Sequence, residues 1–266
     1  MTRSPHTVGS VGALWRYPVK SLQGLEVDRL EVGTTGIVGD RAWGIVDPAA
    51  DKVLSAKRVP ELLEARVLDD DVIELPTGER IRPGETGCNE ALSTWLERHV
   101  ELRSSGGVDA LAYEMTFDPP DDTAEVFAIP TPAGTFLDLA AMHLVCAATL
   151  AWCEERRPDL DFDVRRFRPN LVVTGDSDAF AEDRWSGHQV RIGEVVVAVT
   201  QPTVRCAMPL RAQPAGPDGS PPLERQPDLH DALVELNEQF PNHLGVYAEV
   251  VTPGTIHVGD VVTVED

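Results

Sequence analysis

Cys206 directly follows Arg205 in the stretch PTVRCAMP, residues 202–209, between Pro202 and Pro209. The thiolate, not the thiol, is the nucleophile and metal ligand, and a neighbouring guanidinium favours it. Adjacent side chains on a strand point to opposite faces, so the two act together only where the backbone turns, and the flanking prolines favour a turn. The chain has three lysines, Lys20, Lys52 and Lys57. Lys20 precedes Ser21 in YPVKS, and an ammonium beside a hydroxyl suits a phosphate oxygen; the plainer reading is an exposed edge lysine. In GDRAW, Arg41 follows a glycine turn and is read either as a binding cation or as the ion-pair partner of Asp40. Arg165, Arg166 and Arg168 crowd DVRRFRPNLVV just before a strand-like run, which is either a cationic site for a small anion or a solvated strand edge.

Other chemistries have no support in the pattern. The seven histidines form neither HExxH nor HxH, and no GxSxG elbow occurs. Gly33, Gly36 and Gly39 match neither GxGxxG nor a Walker A sequence and are read as turn glycines. Cys88, Cys146, Cys153 and Cys206 contain no CxxC pair, which argues against a disulfide scaffold or structural zinc. A formal net charge of −21 repels polyphosphate backbones and anionic lipid, so no nucleic acid and no membrane are expected as partners. The first twenty residues lack the apolar core of a signal peptide, and no run of eighteen apolar residues occurs, so a cytoplasmic location is expected.

The elements that must carry these residues read as mainly β with some α. At 266 residues, 42% hydrophobic and 25% charged, the chain is long enough for one large or two modest domains. Residues 11–47 have strand character, and 89–100 read as a short helix capped by Asn89. The Gly-, Pro- and Asp-rich stretches SSGGVDA and FDPPDDTAE suggest a division near residue 122, giving domains 8–121 and 122–266. LDLAAMHLVCAATLAWCEERR, residues 137–157, reads as a buried helix ended by Pro158, with Cys146 and Cys153 on one face. NLVVTG, HQVRIGEVVVAVTQP and GTIHVGDVVTVED have the texture of a small barrel, and 211–228 is an exposed loop, either a connector or a lid.

Taken in order, YPVKS, GDRAW, RFRPNLVV, AEDRW, RIG, RC and GTIHVGD closely resemble the MOSC family, named for the C-terminal domain of molybdenum-cofactor sulfurase. The resemblance runs from about residue 10 to residue 264 and includes the family's N-terminal β-barrel domain. It implies two β-barrel domains with a bound molybdenum cofactor, Mo-molybdopterin. It further implies that Lys20 and Ser21 contact the cofactor's phosphate and pterin, that Arg41, Arg168 and Asn170 bind it with Arg205, and that Cys206 is the molybdenum ligand and catalytic centre. The implied activity is an oxidoreductase that reduces N-hydroxylated or N-oxide-type small molecules with electrons from an external reductase or iron–sulfur protein. Two other readings stay open: a sulfur carrier holding a persulfide on Cys206, and a non-catalytic cofactor-binding protein. Val204 and Cys146 stand where relatives often place hydroxyl residues, and each change is expected to alter a cofactor hydrogen bond.

Overall fold

Seven strands of alternating or continuous apolar character close on themselves in a computed structural model, of which residues 5–106, 111–116, 123–132, 134–216 and 219–265 are described. They are β1 (His6–Arg16), β2 (Met142–Cys146), β3 (Leu171–Thr174), β4 (Gln189–Ile192), β5 (Val195–Val204), β6 (His243–Thr252) and β7 (Val261–Glu265). Around the ring the order is β1, β3, β2, β6, β5, β4, β7 and back to β1. The strands are rich in valine, which fits a pleated surface buried on one side. In β7 alternate residues Val262 and Val264 face the core, where they meet Leu14, Leu144, Val190 and Val197.

Closure requires tight approaches. Gly9 lies at a register shift between β1 and β7 with φ of 152°, and a Cβ there would stand 2.1 Å from the Thr174 carbonyl oxygen. Only glycine tolerates that contact, which bends β1 across two neighbours.

Six of the seven pairings are antiparallel; β2 and β3 run parallel. Parallel neighbours need a crossover, which α2 (Ala147–Arg156) and α3 (Val164–Phe167) supply. This corrects the reading of 137–157 as one helix. All five residues of β2 are buried, so its apolar run carries no alternation and merges with the helix that follows. Cys146 ends the strand and does not share a helix face with Cys153. The helix read over 89–100 is shorter, α1 (Cys88–Trp95), and its N-cap is Gly87, while the Asn89 side chain accepts from the Leu102 amide.

The remainder is also β. A five-stranded sheet orders Glu101–Ser104, Trp43–Asp47, Lys52–Val53, Ala112–Met115 and Phe127–Pro130, over a core of Ile45, Leu62, Leu63, Ile73 and Leu92. Met208 buries its side chain in that second core and Cys206 packs against it, so the segment after β5 bridges the two. Gly33 and Gly36 pair across a hairpin, as turn glycines should. The division placed near residue 122 falls on 117–122, outside the described residues. Strand β1, from the first part of the sequence, completes the barrel built mainly by the second.

Candidate functional site

β1 finishes where β2 and β3 begin, as the pairings of Leu14 and Leu144 with Leu171 show. β5 finishes where β6 begins, Val204 beside His243, and β6 runs antiparallel to β2 so that His143 pairs with Tyr247. The segments leaving those termini hold the candidates: Tyr17–Leu22 after β1, Arg168–Asn170 before β3, and Arg205–Cys206 after β5. Lys20, Ser21, Arg41, Arg168, Asn170, Arg205 and Cys206 all line one pocket, together with Asp138, His143 and Tyr247. Residues up to 186 positions apart in the sequence, Lys20 and Cys206, thus share one cavity.

Backbone conformation is strained where the cations enter. Ser21, Arg41 and Arg168 have φ of 68°, 47° and 54°, in the left-handed region that costs non-glycine residues about 1 kcal/mol or more. Such strain persists where surrounding contacts over-determine it. The Arg41 amide donates to the Tyr17 carbonyl at 2.7 Å, and the Arg168 amide donates to Val164 at 3.1 Å.

Tyr17 organises two of the cations. The guanidinium carbons of Arg41 and Arg168 lie 4.3 and 4.2 Å from its ring centroid, and its hydroxyl donates to the Pro169 carbonyl at 3.0 Å. Arg168 also donates to the Leu22 carbonyl at 2.8 Å, tying the segment before β3 to the one after β1. Burial lowers its pKa to about 10, so it remains charged at neutral pH. Asn170 is committed to structure on both sides of its amide: it donates to Asp40 at 3.2 Å and accepts from the His143 amide at 3.2 Å.

Arg205 is buried and donates to the Phe167 carbonyl at 2.8 Å, and its Nε has no hydrogen-bond partner among the described residues. Cys206 is half-buried, and residues 205 and 206 lie in irregular backbone between β5 and the short turn Met208–Leu210. The turn that the flanking prolines suggested is present, so the guanidinium and the thiol face the same cavity.

Three groups in or beside this pocket left little trace in the sequence. Asp138 bonds both Lys20 and Lys57, the latter at 2.8 Å, and both ammoniums sit over the Tyr113 ring, at 4.6 and 4.3 Å. Burial, and to a lesser degree the charge of Lys57, lowers the Lys20 pKa to about 8 despite Asp138. Burial also opposes the charge of Lys57, but Asp138 and then Cys206 outweigh it and hold its pKa above the usual value. Burial opposes the Asp138 charge too, and the two lysines overcome it, keeping the carboxylate ionised. The scarcity of lysine was the available signal for Lys57; nothing marked Asp138.

His143 is the third. Burial, then the nearby Arg205, holds its pKa well below the usual histidine value, so the ring is neutral at pH 7. A histidine neutral in the fold takes up a proton on unfolding, so its contribution is fully present above about pH 6.5 and lost as pH falls below it. Unfolding free energy is therefore expected to decline from about pH 6.5 toward pH 5, by at most about 1.4 kcal/mol per pH unit, and His143→Gln is expected to flatten that slope. Urea unfolding across that range checks it; an equal slope in the variant would contradict it.

The arginine cluster divides its work. Arg168 enters the pocket, Arg165 pairs with Asp163 at 2.8 Å and with the Pro221 carbonyl at 2.9 Å, and Arg166 is fully buried as a structural hub. The solvated-edge reading thus fails for Arg166 and Arg168. Segment 211–228 is irregular in its described residues, but Gln213 and Gly216 line a larger cleft of about 700 Å³ with Trp15, Tyr17 and Arg165, and not the Cys206 pocket. Arg168 lines both cavities. Val204 borders the Cys206 pocket, whereas Cys146 does not: it is buried in the barrel core, its amide donating to Glu182 at 3.0 Å. A hydroxyl missing at Cys146 therefore removes no direct pocket contact, which corrects that expectation.

The described residues hold no group of three or more His, Cys, Asp or Glu side chains that could hold a metal ion by themselves. Nor is any described helix long and apolar enough to cross a membrane.

The MOSC N-terminal beta barrel domain matches residues 8–82, and the MOSC domain matches residues 132–263. The chain is 27% identical to human mitochondrial amidoxime-reducing component 1, over 95% of this chain and 82% of that protein. It is 25% identical to rat mitochondrial amidoxime reducing component 2, over 97% of this chain and 84% of that protein. A molybdenum cofactor sulfurase from Oryza sativa subsp. japonica is 27% identical over 72% of this chain and 27% of its own length.

Proposed function

From the premise that the chain belongs to the MOSC domain family, we propose that its pocket binds the molybdenum cofactor and that the protein is an oxidoreductase acting on N-hydroxylated or N-oxide-type small molecules. The observation that carries this reading is the donor set. Lys20, Arg41, Arg168, Arg205 and a half-buried thiol line one cavity, in a chain whose net charge is −21. A dithiolene- and phosphate-bearing pterin presents anionic edges and a soft metal, which call for buried cations and a thiolate. The unpartnered Arg205 Nε is a donor in reserve beside that thiol.

On this reading Lys20 and Ser21 hold the phosphate, Arg41 and Arg168 hold the polar edge of the pterin, and Cys206 ligates the metal. The group itself supplies two-electron exchange and oxygen-atom transfer. The chain's own contribution is positional and electrostatic. Tyr17 fixes the planes of two guanidiniums by stacking, and the Arg168 bond to Leu22 sets how far that side chain reaches. Asn170 acts as a positioning residue, holding Asp40 against Arg41 and the start of β2 against β3. Neutral His143, beside Arg205, adds no further positive charge to the crowded cations. Electrons are proposed to come from a separate reductase or iron–sulfur protein.

Arg168→Ala tests the pterin-binding assignment. Cofactor content after purification from a cofactor-producing host is expected to fall by about tenfold or more, since buried charge-assisted hydrogen bonds are worth about 1.5–3 kcal/mol each. Undiminished pterin and molybdenum in a folded variant would overturn the role given to Arg168.

A further inference from the structure

The Lys20, Lys57 and Asp138 cluster is unbalanced in charge. Both lysines are 4% exposed, both stack on Tyr113, and one carboxylate serves the two of them. Two buried ammoniums against one carboxylate leave an uncompensated positive charge, which a low-dielectric site tolerates poorly. The Tyr113 hydroxyl is buried with no hydrogen-bond partner among the described residues, a second polar group left unsatisfied in the same place. Asp138 itself lies outside any strand or helix, with its side chain 34% exposed, so the anion is the movable member of the trio. Lys20 further grips this segment through the Phe136 carbonyl at 2.9 Å.

We propose that Lys20 and Lys57 together form a binding site for a phosphate-class dianion, and that Asp138 occupies this site as a built-in competitor which the dianion displaces. This rests on the cofactor-binding reading above and adds to it a second phosphate cation, Lys57, and a displaceable carboxylate. A doubly charged phosphate monoester balances two ammoniums where a carboxylate balances one. Displacing Asp138 also enlarges the pocket. Its free volume is about 90 Å³, against roughly 300–1,000 Å³ for ordinary small-molecule sites. The segment around Asp138 therefore withdraws as the anion enters, and returns when it leaves.

The test is calorimetric titration of cofactor-free full-length protein with inorganic phosphate at constant ionic strength, comparing wild type with Asp138→Asn, Lys57→Gln and Lys57→Arg. Removing the competitor is expected to tighten phosphate binding on the order of tenfold, about 1.4 kcal/mol. Lys57→Gln is expected to weaken it by a similar factor, and Lys57→Arg, which keeps the charge, to stay close to wild type. Phosphate is also expected to raise the melting temperature of Asp138→Asn more than that of wild type, because it restores the missing anion. Equal phosphate affinity in wild type and Asp138→Asn, or unchanged affinity in Lys57→Gln, would overturn the proposal. So would an Asp138→Asn protein that stays unfolded in excess phosphate. Phosphate binding as expected in a protein that never acquires molybdenum would sink the cofactor reading and leave the two-lysine site standing. Normal cofactor loading with phosphate affinity indifferent to Lys57 and Asp138 would do the reverse.

Discussion

Cys206→Ala is expected to abolish metal retention and turnover while leaving the fold in place. The side chain is half-buried at the edge of the second core, so truncation costs stability on the order of 1 kcal/mol. The effect on the metal is far larger. Altering groups that merely orient metal ligands costs about 10–100-fold in affinity, and removing the Cys206 thiol from the pocket removes the proposed ligand itself. Molybdenum per protein is therefore expected to fall by at least about tenfold, with turnover falling in parallel. Circular dichroism and urea unfolding verify the fold, and metal analysis reads the loss. A folded variant that keeps both its metal and its turnover contradicts the assignment. Cys206→Ser is the stricter control, since a hydroxyl of similar size keeps the packing but is a harder and weaker ligand for this metal.

The second large effect is structural. Arg166 is completely buried and donates to the carbonyls of Pro209 at 3.1 Å, Arg211 at 3.3 Å and Glu224 at 2.9 Å, and to the Asp161 carboxylate at 3.4 Å. It fastens the segment that begins three residues after Cys206. Arg166→Ala leaves those carbonyls without their donor and opens a cavity among them, a combination expected to cost about 3–5 kcal/mol. Arg166→Lys recovers little, because a single ammonium cannot span the carbonyls that a planar guanidinium reaches at once. The check is the urea midpoint together with amide exchange over 209–224, which is expected to accelerate in both variants. An unchanged midpoint would show that the hub is dispensable. Where the variant remains folded, loosened metal retention without any change to a pocket residue is expected as well.

The sequence made the site more legible than the fold that carries it. Chemistry is written in residue types: a thiol after an arginine, a scarce lysine beside a serine, and an arginine and an asparagine around a proline, all of which the structure brings to one cavity. What those residues do once there was less legible. Asn170 spends both ends of its amide holding β2 to β3, and Arg166 turned inward to hold a loop while its neighbour Arg168 entered the pocket. Neighbouring arginines look alike in a sequence; the left-handed backbone at Arg168, φ 54°, leaves no mark in it.

The barrel strands near the C-terminal end were readable because valine alternates with polar residues there, as in β7. Strand β2 was not, because a strand buried on both faces loses its period and joins the following helix in one apolar run. Asp138 and His143 escaped for a related reason. An aspartate in a loop and a histidine in an apolar run are ordinary locally, and their meaning comes from partners far away in the chain, Lys20 and Lys57 for one and Arg205 for the other.

The most direct measurement is the molybdenum and pterin content of wild-type protein purified from a cofactor-producing host, by plasma mass spectrometry and by pterin fluorescence after acid release. Near-stoichiometric amounts of both, in equal proportion, are expected. Protein free of molybdenum and of pterin would contradict that expectation, and the buried cations around Cys206 would then have to be explained as the setting for a persulfide.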